Sequence, residues 1–193
     1  MITAREWEAK RFRENTPGVL SATEGVTTVD ADIITGLKDY ARSMPQQRAR
    51  ILMHHGHDAL IHEMLIAAIE YTLWPPLFNN WGSQSWHVLE GEIAFVEYAP
   101  EGDIIEIRII SALRSGLPTY LRLASEAWYT IVPLTGMSVY LETRQGPFQD
   151  LPRADWGPQG SLTDPRSAGL RARLKELGYA TDDTRAYPIM SRT

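Results

Sequence analysis

Downstream of Trp74-Pro75-Pro76, and as far as Phe148, the sequence breaks into short runs of strand character, each closed by turn residues. Runs at 85–89 and 92–98 are separated by Glu90-Gly91, and Pro100-Glu101-Gly102-Asp103 forms a hairpin turn before 104–110. After Ser115-Gly116-Leu117-Pro118 come runs at 119–123, 128–133 and 138–143. Strands this short and closely spaced bury their apolar alternation by forming a sandwich or barrel. The chain is therefore mainly β, and its 193 residues suit one domain with terminal extensions.

The flanks read differently. Thr3 followed by Glu6 has capping-box spacing, which predicts a helix over 4–13, ended by Pro17 and Gly18. A second helix is expected over 32–42, with Ile33, Leu37 and Tyr40 on one face and Pro45 beyond it. Leu60, Met64, Ala67 and Ala68 recur at helical spacing, so a third is expected over 57–71, with Asp58 near its start. In the tail, Asp164-Pro165 opens a helix carrying Leu170, Leu174 and Leu177, stopped by Gly178. Those leucines dock on the barrel in preference to a partner subunit. The expected organisation is a helical extension over 1–45, a barrel with its leading helix over 46–148, and a tail with one helix over 149–193.

Composition narrows the function classes. A net charge of −5 with no Lys/Arg stripe argues against nucleic-acid and anionic-membrane partners. Cysteine is absent, which removes disulfides, thiolate metal sites and a cysteine nucleophile. The polar start, MITAREWEAKRFREN, has no apolar signal region behind it, and no run reads as a membrane span, so a cytoplasmic protein is expected.

Several motifs in order carry a resemblance. Arg48 and Arg50 precede MHHGHDALIHEM; then come WHVLEGEIAFVEYAPEGDIIE, WYTIVPL and LETRQGPF. Together they resemble the cupin superfamily over about residues 37–148, and more narrowly the WbuC-type cupins found with lipopolysaccharide sugar-biosynthesis genes. The resemblance implies a single cupin barrel (a jelly roll, or double-stranded β-helix) with N-terminal helices and a C-terminal helix-containing tail, and a homodimer. It also locates a metal site: two His and one Glu on the first motif, in PLFNNWGSQSWHVLEG, and a last His on WYTIVPL. Those positions are here Leu77, Asn79, Gln84 and Tyr129, with Gly91 as the turn glycine. An aliphatic chain, two neutral amides and a phenol are poor ligands for a divalent transition metal. No metal and no other cofactor is therefore expected.

Strand alternation then sketches a pocket of Leu77, Asn79, Gln84, Trp86 and Tyr129, with Tyr120 or Arg122 on a neighbouring strand and Trp74 and Trp81 at the rim. Tyr129 is the candidate general acid if Arg122 lowers its pKa, and Asn79 and Gln84 are candidates for holding an oxyanion. His54, His55, His57, His62 and Glu63 crowd ten residues. Capping and packing are the favoured roles there; His57 or His62 as an acid–base group at the barrel mouth, or a metal held by the cluster, are the alternatives. Glu142 and Arg144 read as a solvated or interface pair. The expected function is metal-independent acid–base chemistry on a small polar metabolite, a sugar or natural-product intermediate, by isomerisation, dehydration or cyclisation. The alternative is a non-catalytic cupin that binds a small ligand or a partner enzyme as sensor or scaffold.

Overall fold

The computed structural model describes residues 7, 11–114, 116–124, 126–158, 160 and 162–179. Eleven strands form two sheets among them. A hairpin of β1 (Phe12–Thr16) and β2 (Val19–Ala22) leads to helix α1 (Ala31–Ser43), β3 (Arg48–Leu52) and β4 (Ile61–Ile69). Then follow β5 (Leu77–Asn79), β6 (Gln84–Glu90), β7 (Glu92–Tyr98) and β8 (Ile104–Ser111). After these come β9 (Tyr120–Leu123), β10 (Ala127–Pro133) and β11 (Met137–Gln145). A 3-10 turn (Pro165–Ser167) and helix α2 (Ala168–Glu176) complete the described chain.

The order β1-β2-β3-β4-β11-β6-β9 faces β5-β10-β7-β8. The last eight strands divide between the sheets in the order of a jelly roll, β4-β11-β6-β9 against β5-β10-β7-β8, and this is the single barrel that the resemblance implies. The first three strands extend one sheet beyond β4, with β2 and β3 parallel.

Each sheet is covered on its outer face. Asp30 caps α1 by accepting from Ile33 N at 2.9 Å, and Ile33, Leu37 and Tyr40 pack on Ala49, Ile51, Leu65, Ala67 and Val139. The Tyr40 hydroxyl accepts from Gly18 N and donates to Glu14, tying the helix to the β1–β2 hairpin. On the other side, Leu162, Leu170 and Leu174 cover Ala94, Val96, Tyr98 and Val132. The tail helix thus docks on its own barrel as expected, although Leu177 stays exposed. Between the sheets, Ile66, Trp86, Val88, Ile93, Phe95, Ile131 and Tyr140 form the inner core.

One expectation fails, and another can be followed only at its end. The segment expected as a helix over 57–71 holds strand β4 instead. Both its faces are covered, Leu65 and Ala67 by α1 and Ile66 by the inner core, so its apolar residues run together and mimic helical spacing. The helix expected over 4–13 lies mostly outside the described residues; Trp7 is helical, but Phe12 and Arg13 begin β1. No helix among the described residues is long and apolar enough to cross a membrane.

Candidate functional site

Register determines which side chains face one another inside the barrel. Successive cross-strand rows run Arg50–Ile66–Tyr140–Val88, then Leu52–Met64–Glu142–Trp86–Leu121, then His62–Arg144–Gln84–Leu123. Tyr140, Ile66, Trp86, Val88 and Leu123 belong to the inner core, so every residue on these rows shares its face. From the opposite sheet Tyr129 points in, paired across the strands with Leu77 and Glu97.

The four positions singled out by the resemblance converge. The Tyr129 hydroxyl donates to Gln84 Oε1 at 2.6 Å, and Gln84 Nε2 donates to Asn79 Oδ1 at 3.1 Å. Asn79 Nδ2 donates to Gly82 O at 3.0 Å, closing the loop before β6, and Leu77 packs on the same inner core. Tyr129 lies parallel to Phe95 at 5.6 Å between ring centroids and beside Trp86 at 5.2 Å. Gly91, the turn glycine of the frame, sits at φ +76° with Thr135 and Met137 O where a Cβ would be.

This donor set does not fit a divalent transition metal. Leu77 has no donor atom, the two amides hydrogen-bond along a chain, and burial raises the Tyr129 pKa, with the Glu142 charge adding to the effect. Arg144 and the bond to Gln84 oppose that rise only in part. Among the described residues no group of three or more His, Asp or Glu side chains is placed to hold a metal ion.

Several expected site residues lie elsewhere. On β9 it is Leu121 and Leu123 that face inward, so Tyr120 and Arg122 project from the outer face. Arg122 donates to Ser83 Oγ at 2.8 Å, and Tyr120 is half-exposed beside His87. Arg122 therefore does not act on Tyr129, whose pKa moves up, opposite to the expected direction. Trp81 is exposed on the loop, while Trp74 packs on the inner core beneath the Arg48 guanidinium, 4.3 Å from the ring centroid.

The histidines divide. His62 is buried on the inner face of β4, cross-strand from Arg144, and its Nε2 finds no hydrogen-bond partner among the described residues. His54 lies against it with ring centroids 4.0 Å apart and the rings tilted by 40°. Burial lowers the His54 pKa, with the neighbouring His62, His57 and Arg50 charges acting in the same direction against its bond to Glu63 O. His57 is exposed and packs edge-on against Phe148, away from Tyr129 and Glu142.

Glu142 is the principal correction. Read from the sequence as half of a solvated pair, it instead projects into the barrel opposite Trp86. Burial raises its pKa, and the Arg50 and Arg144 charges and the Trp86 indole N–H counter that rise in part. Trp86 Nε1 lies close enough to lower the pKa but makes no hydrogen bond. The Glu142 side chain keeps partial solvent access. One signal was available: Glu142 is two residues from Tyr140 and from Arg144, so a core-facing Tyr140 carries both with it. The barrel centre thus combines one shielded carboxyl, neighbouring guanidinium groups and a chain of neutral hydrogen-bonding groups.

No protein-family model matches the chain, and no curated protein does. Solved structures give distant likenesses. Procruciferin, an 11S globulin from Brassica napus, aligns over 64% of this chain at 11% identity and a TM-score of 0.41, and the chain spans only 29% of that protein. A cupin-superfamily protein from Desulfitobacterium hafniense aligns over 56% of this chain and 86% of its own, at 12% identity and a TM-score of 0.41. An oxalate oxidase in complex with the substrate analogue glycolate aligns over 69% and 68%, at 10% identity and a TM-score of 0.45.

Proposed function

We propose that the barrel binds a small polar metabolite and acts on it by metal-independent acid–base chemistry, with Glu142 as the proton-transferring group. The observation that carries this reading is the placement of Glu142 on the inner face among Trp86, Tyr129, Arg50 and Arg144. A carboxyl whose pKa rises toward neutrality is a better general acid–base group than an ordinary surface glutamate. Tyr129 is then a positioning and hydrogen-bonding residue rather than the acid, since its pKa rises and its hydroxyl is committed to Gln84.

The chemistry that fits is isomerisation. Glu142 takes a proton from the hydroxyl-bearing carbon next to a carbonyl and returns it to the carbonyl carbon, while the hydroxyl proton passes to the former carbonyl oxygen, so that the carbonyl moves by one carbon with no net change in oxidation state. The negative charge that builds on the carbonyl oxygen is stabilised by Arg50 or Arg144. A screen of sugar-derived and keto metabolites for conversion, or for exchange of substrate hydrogen with deuterated solvent, tests it. Glu142→Gln lowers the wild-type rate by about 10²–10⁴-fold on this reading. Undiminished turnover in that variant sinks it.

One observation favours the non-catalytic alternative: Tyr129, Gln84 and Asn79 are linked by hydrogen bonds and buried, as in a site repacked for structure. A metabolite that raises the Tm of the wild-type protein and is never converted selects that reading.

A further inference from the structure

The charges around the barrel opening are unbalanced. Arg50 shares the inner face with Tyr140, and its charge acts on both Glu142 and Tyr140. Arg144 sits two residues from Glu142 and acts on Glu142 and Tyr129. Arg48 precedes Arg50 on the same face of β3, stacks on Trp74 and donates to Leu73 O at 3.3 Å. Burial lowers the Arg48 pKa to about 10, with the like charges of Arg50 and Arg153 adding to the fall and Tyr140 opposing it. Arg153 reaches the same opening because it bridges Leu77 at the start of β5.

Four guanidinium groups therefore lie toward this end of the barrel, two of them, Arg50 and Arg144, acting on the Glu142 carboxylate, and none of the four makes an ion pair among the described residues. On the facing sheet Arg108 pairs with both Glu97 and Glu106, which leaves one net negative charge there, too few to balance the four arginines. Arg144 Nε is also a buried donor without a hydrogen-bond partner among the described residues, although Nη2 of the same group donates to Gln149 O at 2.6 Å. Like charges crowded at one end of the barrel, with an unused buried donor among them, favour a ligand of opposite sign.

We infer that this opening is an anion-binding site, and that the ligand of the barrel carries a carboxylate or phosphate group held by Arg50 and Arg144, with Arg48 on its Trp74 platform behind them. A guanidinium presents paired N–H groups that match either oxyanion. The inference rests on the proposed function for the location of the site only, not for the role of Glu142 in catalysis. The ligand enters with its anionic end toward the arginines, which leaves its neutral part against Trp86, Leu77 and Met64.

Isothermal titration with inorganic phosphate and, separately, with malonate tests it without any need for turnover. Wild-type protein binds at least one of the two, and the preference between them identifies the class. Arg50→Gln and Arg144→Gln each weaken that binding by about tenfold or more. Glu142→Gln tightens it by removing the one opposing charge. Arg122→Gln, on the outer face of β9, removes the same formal charge and leaves affinity unchanged. Arg50 is exposed, so its variant keeps the test valid even if Arg144→Gln fails to fold. Absence of binding by wild-type protein at millimolar anion, or equal binding by wild type and Arg50→Gln, overturns the inference. Anion binding with turnover insensitive to Glu142→Gln instead leaves it standing and removes the proposed mechanism.

Discussion

Glu142, the residue proposed for proton transfer, shows how one buried carboxyl can cost stability. Its pKa is raised by burial, so the folded protein binds the Glu142 proton more tightly than the unfolded chain does. The contribution to stability is then greatest below the ordinary glutamate value of 4.5 and falls as pH rises through the raised folded-state value. Glu142→Gln removes that loss. Thermal melts show a higher Tm than wild type at neutral pH, with the gain shrinking toward about pH 4. A lower Tm at neutral pH means that Arg50 and Arg144 stabilise the carboxylate more than burial penalises it. Tyr129→Phe has the opposite character: it removes the bond to Gln84 Oε1 and costs about 1 kcal/mol in denaturant titration.

Among the elements, α1 and β4 mark the limits of reading secondary structure from pattern. Helix α1 has one apolar stripe and a polar face, an Asp cap and a Pro beyond its end, and the sequence locates it to within a residue or two. Strand β4 is covered on both sides, and a two-sided strand loses the period of two that identifies it. The same difficulty concealed the site. In β11 the alternation of Tyr140, Glu142 and Arg144 is legible, but whether that face is the wet one depends on β4 and β6, its neighbours on either side. Truncating the stripe tests how far the sheet depends on its helix: Leu37→Ala, fully buried on the sheet-facing side of α1, costs about 2–5 kcal/mol. The same change at Leu177, exposed at the end of α2, costs under about 0.5 kcal/mol.

Across the whole molecule, one acid adds a polar tie between the barrel and the end of the tail, beside the leucines that pack there. Glu92, buried at the start of β7, accepts from Arg114 Nε at 2.5 Å and Nη2 at 2.8 Å, from Ser111 Oγ at 2.9 Å and from the Tyr179 hydroxyl at 2.9 Å. Burial alone would raise its pKa, but these hydrogen bonds outweigh burial and lower it. Its contribution is therefore present above the ordinary glutamate value and lost as pH falls through the depressed one. Glu92→Gln lowers Tm at neutral pH, and the difference from wild type narrows as the solution is acidified below that ordinary value. A constant difference across that range would show that Glu92 acts by packing alone.

The sequence by itself determined a mainly β chain, the helix after residue 30 and most strand positions between 84 and 145. These are local properties, set by turn residues and strand length, whereas the grouping of Leu77, Asn79 and Gln84 with Tyr129 came from the family resemblance. Only the tertiary structure decided that Glu142 and Arg144 lie inside, that Arg122 and Tyr120 lie outside, and that Arg48 and Arg50 join the barrel opening. The physical reason is that a strand's two faces are equivalent until its neighbours are known, and pairing partners lie dozens of residues away. A single strand thus reveals which side chains share a face, while the whole sheet determines which face holds the chemistry.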